Sequence, residues 1–117
     1  MEKNLAVAGV GYWGKNLVRD FYELGALHTI CDVNQELGNQ FKSHFSEIRY
    51  VDSFGSLLND PAIKAVVIAT PAVHHYQMTK DALLAKKHVF VEKPLALMED
   101  QGAELVNIAE KQNLILM

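Results

Sequence analysis

Short apolar runs and amphipathic segments alternate along this chain from one end to the other. NLAVAG (4–9) is the first apolar run. WGKNLVRDFYEL (13–24) follows it, with Leu17, Val18, Phe21 and Tyr22 on one helical face and Lys15, Arg19 and Asp20 opposite. Gly25 then stops the helix, as a glycine past a helix end does. LHTICD (27–32) reads as a strand, and Asn34 as the N-cap of a helix over about 35–44. IRYV (48–51) is a third, weaker strand. Ser53 or Asp52 caps a short helix through Leu57 and Leu58. IKAVVIAT (63–70) is nearly continuous and β-branched, the pattern of a strand buried on both faces. A helix over roughly 74–86 lines up Met78, Ala82 and Ala85. HVFVEK (88–93) is a fifth strand. A helix over about 97–112 aligns Met98, Gly102, Leu105 and Ala109. Its first turn carries Glu99 and Asp100 and its last Lys111, the sense the helix dipole favours. NLILM starts a sixth strand.

No hairpin signal interrupts this order, which predicts a parallel sheet with helices on both faces. The count of about five or six strands fits the doubly wound α/β (Rossmann) fold, three layers with strand order 3-2-1-4-5-6. A length of 117 residues, half of them hydrophobic, suits one compact domain. The net charge of −3 carries no electrostatic footprint for nucleic acid or an anionic membrane. No stretch approaches the ~20 apolar residues of a membrane span. The opening MEKNLAVAGVG lacks the layout of a signal peptide, and Cys31, the single cysteine, has no intrachain partner. These features predict a cytoplasmic protein. The chain closes on LILM without a polar tail, so residues 1–117 read as the N-terminal domain of a longer protein.

GVGYWG (9–14) sits between the first strand and the first helix, where a dinucleotide-phosphate turn belongs. Gly9 permits the tight turn, Gly11 lets backbone approach a pyrophosphate, and Gly14 lets helix pack on strand. The amides of Val10, Tyr12 and Trp13 then face the phosphates with the helix dipole behind them. Trp13 as a side chain reads more simply as a packing aromatic. A glycine turn alone is weak evidence. Asp32, closing the second strand, is an independent second element: an acid there accepts hydrogen bonds from the adenosine ribose. It also favours NAD over NADP, since a carboxylate repels a 2′-phosphate. Val33, Asn34 and Gln35 offer no arginine to bind one. Asn34 joins the expected cofactor contacts.

Ligands of open α/β sheets bind outside the carboxyl ends of the strands. After the fourth strand come Ala69, Thr70 and Pro71, then His74 and His75. After the fifth come Glu92, Lys93 and Pro94. Each group taken singly is an ordinary turn or a solvated pair. Together they converge on the rim at the nicotinamide end.

AVAGVGYWGKNLVRDF, CDVN, ATPAVHHY and VEKPLAL resemble, in order and spacing, the glucose-fructose oxidoreductase / inositol dehydrogenase / rhizopine catabolism (Gfo/Idh/MocA) family over essentially the whole chain. The GYWGKNLVRDF form looks most like the branch that oxidises UDP-N-acetylglucosamine-type nucleotide sugars at C3. The resemblance implies a second, C-terminal α/β domain carrying an acid/base pair and most of the substrate pocket. It implies a homo-oligomer built through that domain. It matches Thr70, Pro71 and His75, rather than His74, to the family's T-P-x-x-x-H pattern. It places Glu92 near the nicotinamide ribose and makes Lys93 the active-site lysine, assisting proton movement while hydride goes to nicotinamide. An amine suits such work because desolvation and nearby cations ease its deprotonation. Pro94 restricts the backbone of Lys93, and in many members the peptide between them is cis.

Met98 departs from the Thr or Ser that relatives often have as helix cap, and Glu99 and Asp100 compensate through the dipole. Gly102 inside that helix costs about 1 kcal/mol against alanine unless it serves close packing. Leu95 and Leu97 face either a second domain or the core. Cys31, beside Asp32, reads as a buried strand residue rather than a catalytic thiol. His28, His44 and His88 lack metal-ligand spacing, so no metal is expected.

The expected activity is NAD-dependent oxidation of a sugar hydroxyl, on a nucleotide sugar or else a free sugar or inositol. The competing reading is a non-catalytic nucleotide-sensing module on the same fold. A dihydrodipicolinate reductase-like class shares the glycine turn but not the E-K-P turn in this register.

Overall fold

The computed structural model describes residues 3–11 and 14–117; the expectations for Tyr12 and Trp13 lie outside the described residues. Five strands alternate with five α-helices. They are β1 (Leu5–Ala8), α1 (Gly14–Glu23), β2 (Leu27–Cys31), α2 (Gln35–His44), β3 (Arg49–Val51), α3 (Phe54–Leu58), β4 (Ala65–Ile68), α4 (His75–Leu84), β5 (His88–Val91) and α5 (Glu99–Gln112). The strands form one parallel sheet in the order β3-β2-β1-β4-β5. Leu116 adds a parallel bridge to Val89, and the Met117 amide donates to the Val89 carbonyl at 2.9 Å. The last residues therefore take the sixth position beside β5, and the order 3-2-1-4-5 is the one expected from the sequence.

Side chains alternate across the pleat, so each central strand feeds both faces. Val7, Ile30 and Val67 point to one side, where Val18 of α1 and Ile48 complete a core against Leu37 and Phe41 of α2. Ala6, Ala8, Val66 and Ile68 point to the other, under Leu57, Ala82, Leu83, Leu105 and Ala109 of α3, α4 and α5. Burying both faces of β4 is what its unbroken β-branched sequence demands.

Helix ends follow local chemistry. Asn34 caps α2 by accepting the Leu37 amide at 3.1 Å. Ser53, not Asp52, caps α3. Met98 stands at the N-cap of α5 without a side-chain bond, and Asp100 instead accepts the Gln101 amide at 3.0 Å. Three helices close with a left-handed residue: Gly25 after α1, Lys86 after α4 and Asn113 after α5. In each, the following amide reaches back to the helix, as Lys87 does to the Ala82 carbonyl at 3.0 Å, which is the Schellman arrangement.

The helix expected over 74–86 is shorter than its sequence suggests. A 3-10 turn (Ala72–His74) leads into α4, and the helix buries His75, Thr79, Ala82 and Leu83. Of the face read from the sequence, Ala82 is retained, while Met78 turns toward the carboxyl end of the sheet. The rotation follows from Ala82 and Leu83 packing onto β4 and β5 together, which a single-face pattern does not anticipate.

Candidate cofactor cleft

The glycine turn is built by contact as much as by conformation. Gly9 sits at φ +91°, and its amide donates to the Cys31 carbonyl at 2.8 Å, tying the end of β1 to β2. A Cβ on Gly9 would lie 2.9 Å from the Ala69 carbonyl and the Thr70 nitrogen. A Cβ on Gly14 would overlap the Gly9 carbonyl. The missing side chain at Gly14 lets α1 approach the turn after β1, and the one at Gly9 lets that turn approach the segment after β4. Gly11 differs: nothing lies within 4 Å of its would-be Cβ, and it opens onto the cleft. That is the cradle a phosphate needs, and a methyl group would fill it.

Asp32 is held at every polar atom. Its Oδ2 accepts the Val10 amide at 3.0 Å and its Oδ1 the Asn34 amide at 2.8 Å. Its own amide donates to the Val51 carbonyl, and its carbonyl accepts the Tyr50 hydroxyl at 2.9 Å. Each carboxylate oxygen keeps a second lone-pair direction for a ligand hydroxyl. Tyr50 reaches Asp32 because its ring occupies the space a side chain on Gly38 of α2 would take. Burial, then the charges of Asp52 and Asp32, push the Tyr50 phenol above its ordinary value, so it stays a donor. Neither Tyr50 nor Gly38 was apparent as a site residue. A glycine inside a helix four residues past its cap was the available signal.

A cleft of about 650 Å³ runs along the carboxyl ends of β1, β2 and β4. Gly9 and Gly11 form its floor, with Asp32 and Val33 at one end beside Phe54 of α3. Ala69, Thr70 and Pro71 line the other end with His74 and Met78. Gly9, Gly11, Asp32, Ala69, Thr70 and Pro71 thus meet in one cavity, as their positions predicted. Val33, Phe54, His74 and Met78 line the same cleft, beyond the contacts expected from the sequence. The Thr70 hydroxyl donates to the Met78 sulfur at 3.2 Å, which turns Met78 into the cleft wall.

Other expected residues sit differently. Val10 is buried and meets the cleft's acid through its amide, Gly14 packs behind the turn, and Asn34 is exposed at its cap. His75 is buried, with both ring nitrogens on backbone carbonyls, and does not line the cleft. Glu92, Lys93 and Pro94 follow β5 beyond the cleft wall, with the Glu92 amide donating to the Ile68 carbonyl at 3.1 Å. Lys93 and Pro94 are exposed, and the peptide between them is cis. Cys31 backs the cleft, and burial, then the charges of Asp32 and Asp52, push its thiol up to about 12. It therefore stays protonated, as its place in a buried strand suggested. Among the described residues no three His, Cys, Asp or Glu side chains group as metal ligands, and no helix is long and apolar enough to cross a membrane.

Residues 3–117 match the model of the Gfo/Idh/MocA oxidoreductase family, NAD-binding Rossmann fold. The chain belongs to this family. A Gfo/Idh/MocA chain of this kind is part of a wider set: the chain spans about a third of the length of the curated relatives it matches. One, glycosyl hydrolase family 109 protein 2 of Shewanella sp. (strain ANA-3), is 34% identical over 131 residues, covering 99% of this chain and 28% of its own. Among solved structures, biliverdin reductase from Synechocystis sp. PCC 6803, in complex with biliverdin and NADP+, superposes with a TM-score of 0.90 at 29% identity. That match covers 99% of this chain and 37% of the reductase. GenD2 from gentamicin A biosynthesis, in complex with NAD, gives a TM-score of 0.90 at 26% identity, covering 99% and 34%. The Gfo/Idh/MocA assignment makes this an NAD(P)-binding domain of an oxidoreductase family and leaves the choice between the two cofactors to the residues around Asp32.

Proposed function

We propose that this chain is the N-terminal, NAD(H)-holding domain of a longer oxidoreductase that moves hydride between a sugar CH–OH and nicotinamide. The favoured substrate is a nucleotide sugar reacting at C3. The observation that carries the reading is the single cleft joining the glycine turn, Asp32 and the end of β4. Gly9, Val10, Gly11 and Gly14 shape the pyrophosphate cradle. The Asp32 carboxylate receives the adenosine ribose hydroxyls near Asn34, with Val33 and Phe54 as apolar walls for the purine. Ala69, Thr70 and Pro71 border the nicotinamide half, with Glu92 at its ribose and Pro94 shaping the turn. Lys93 handles the proton of the reacting hydroxyl. Bound nicotinamide supplies the hydride acceptor.

NAD is favoured over NADP. Both Asp32 oxygens are fixed by backbone amides, and no arginine follows among Val33, Asn34 and Gln35. Calorimetric titration of the chain with NADH and NADPH tests this. Tighter NADH binding supports it; equal affinities, or no binding at millimolar cofactor, sink it.

The glycosyl hydrolase name of one relative favours a second reading, in which the same site serves sugar chemistry without net oxidation. The full-length protein incubated with NAD and UDP-N-acetylglucosamine separates them. NADH absorbance growing with product supports the oxidoreductase. Sugar conversion at constant NADH supports the alternative.

A further inference from the structure

His75 opens α4 with a side chain only 2% exposed, next in sequence to His74, which lines the cleft. Its Nε2 lies 2.6 Å from the Thr70 carbonyl and its Nδ1 lies 2.7 Å from the Pro94 carbonyl. Those two oxygens belong to different loops. Thr70 is in the segment after β4 that forms the cleft wall. Pro94 closes the turn after β5 that presents Lys93. Carbonyl oxygens only accept, so a neutral ring donates to one of them at a time and a protonated ring to both. An apolar side chain of the same size would take the hydrogen-bonding ring away from both carbonyls.

We propose that His75 is a positioning residue, coupling the Thr70 loop to the Lys93–Pro94 turn and so setting the nicotinamide half of the site. The inference rests on the NAD(H) reading. Asp32 and the glycine turn hold the adenosine and pyrophosphate half from β1 and β2, whereas the two loops His75 bridges lie across β4 and β5. A dinucleotide anchored at Asp32 must extend toward them. The bridge therefore acts on one half of the ligand and leaves the other untouched.

This asymmetry provides the test. ADP carries the adenosine and pyrophosphate but neither the second ribose nor the nicotinamide, so the chain is titrated with ADP and with NADH. For His75→Phe, NADH affinity should fall about tenfold while ADP stays within about twofold, because the lost hydrogen bonds order only the nicotinamide side. The emission of bound NADH should move toward that of free NADH. His75→Gln should lie between, since one amide nitrogen reaches one carbonyl but does not span both. If both probes weaken together, or neither changes, His75 is merely a core residue and the inference is overturned. If His75→Phe does not fold, the same ratio measured on His75→Gln decides. If the unsubstituted chain binds neither probe, the cofactor reading itself fails and takes this inference with it.

Discussion

The Asp32 carboxylate accepts the Val10 amide at 3.0 Å, so the acid at the end of β2 and the glycine turn after β1 form one unit. Replacing Asp32 therefore acts on both. Asp32→Ala should weaken NADH by roughly 10- to 100-fold, the loss of two hydrogen bonds to a charged acceptor. It should weaken NADPH much less, since the repelling charge also goes. Parallel titrations with the two cofactors check this; an unchanged preference would remove Asp32 from its proposed role.

The two glycines facing different neighbours separate folding from binding. Gly14→Ala drives a methyl into the Gly9 carbonyl and should cost about 2–3 kcal/mol in denaturant unfolding. Gly11→Ala meets nothing within 4 Å and should leave the unfolding midpoint nearly unchanged. The same variant should lose most NADH affinity, because its methyl enters the phosphate cradle. Retained affinity would place the pyrophosphate elsewhere.

Two helix positions can be improved. Lys86 holds φ 65° at the end of α4, and glycine adopts that conformation without the side-chain penalty. Gly102 lies inside α5, and a Cβ there would meet only Leu95 Cδ2 at 3.9 Å, an ordinary contact. Lys86→Gly and Gly102→Ala should each stabilise by about 1 kcal/mol, seen as a higher denaturation midpoint. Destabilisation by Gly102→Ala would reveal a packing demand absent from these contacts.

Asp60 should contribute to acid sensitivity. The Ala62 amide, donating to its Oδ1 at 2.9 Å, and then Arg49 hold its carboxyl below the usual carboxylate value. A depressed folded-state value means stability present above the unfolded value of about 3.9 and lost as pH falls through the folded one. Asp60→Asn should lower stability at neutral pH and flatten its decline below about pH 4. Denaturant unfolding across pH 2–7 measures both.

The alternation of elements and the Asn34 cap were legible because each is set by neighbours close in sequence or by hydrophobic periodicity, and the strand order and the meeting of Gly9, Asp32 and Thr70 follow from the fold class that this alternation implies. What escaped depends on distant partners. The choice between His74 and His75 is decided by where the 3-10 turn gives way to α4, between these two neighbours. Lys87, next to the exposed Lys86, is buried with its ammonium on the Asp60 and Ile63 carbonyls. Tyr50 finds Asp32 only through a gap at Gly38, which lies between them in sequence but on another layer.

The left-handed ends at Gly25, Lys86 and Asn113 have a consequence for engineering. In a parallel sheet the crossover helices run against the strands, so all three turns, with Lys87 and the Arg49–Asp60 pair, gather at the pole opposite the cleft. Heat tolerance and ligand choice are thus addressed from separate hemispheres of the molecule. A thermostable variant can be assembled at one pole while the ligand-facing one keeps its atoms in place.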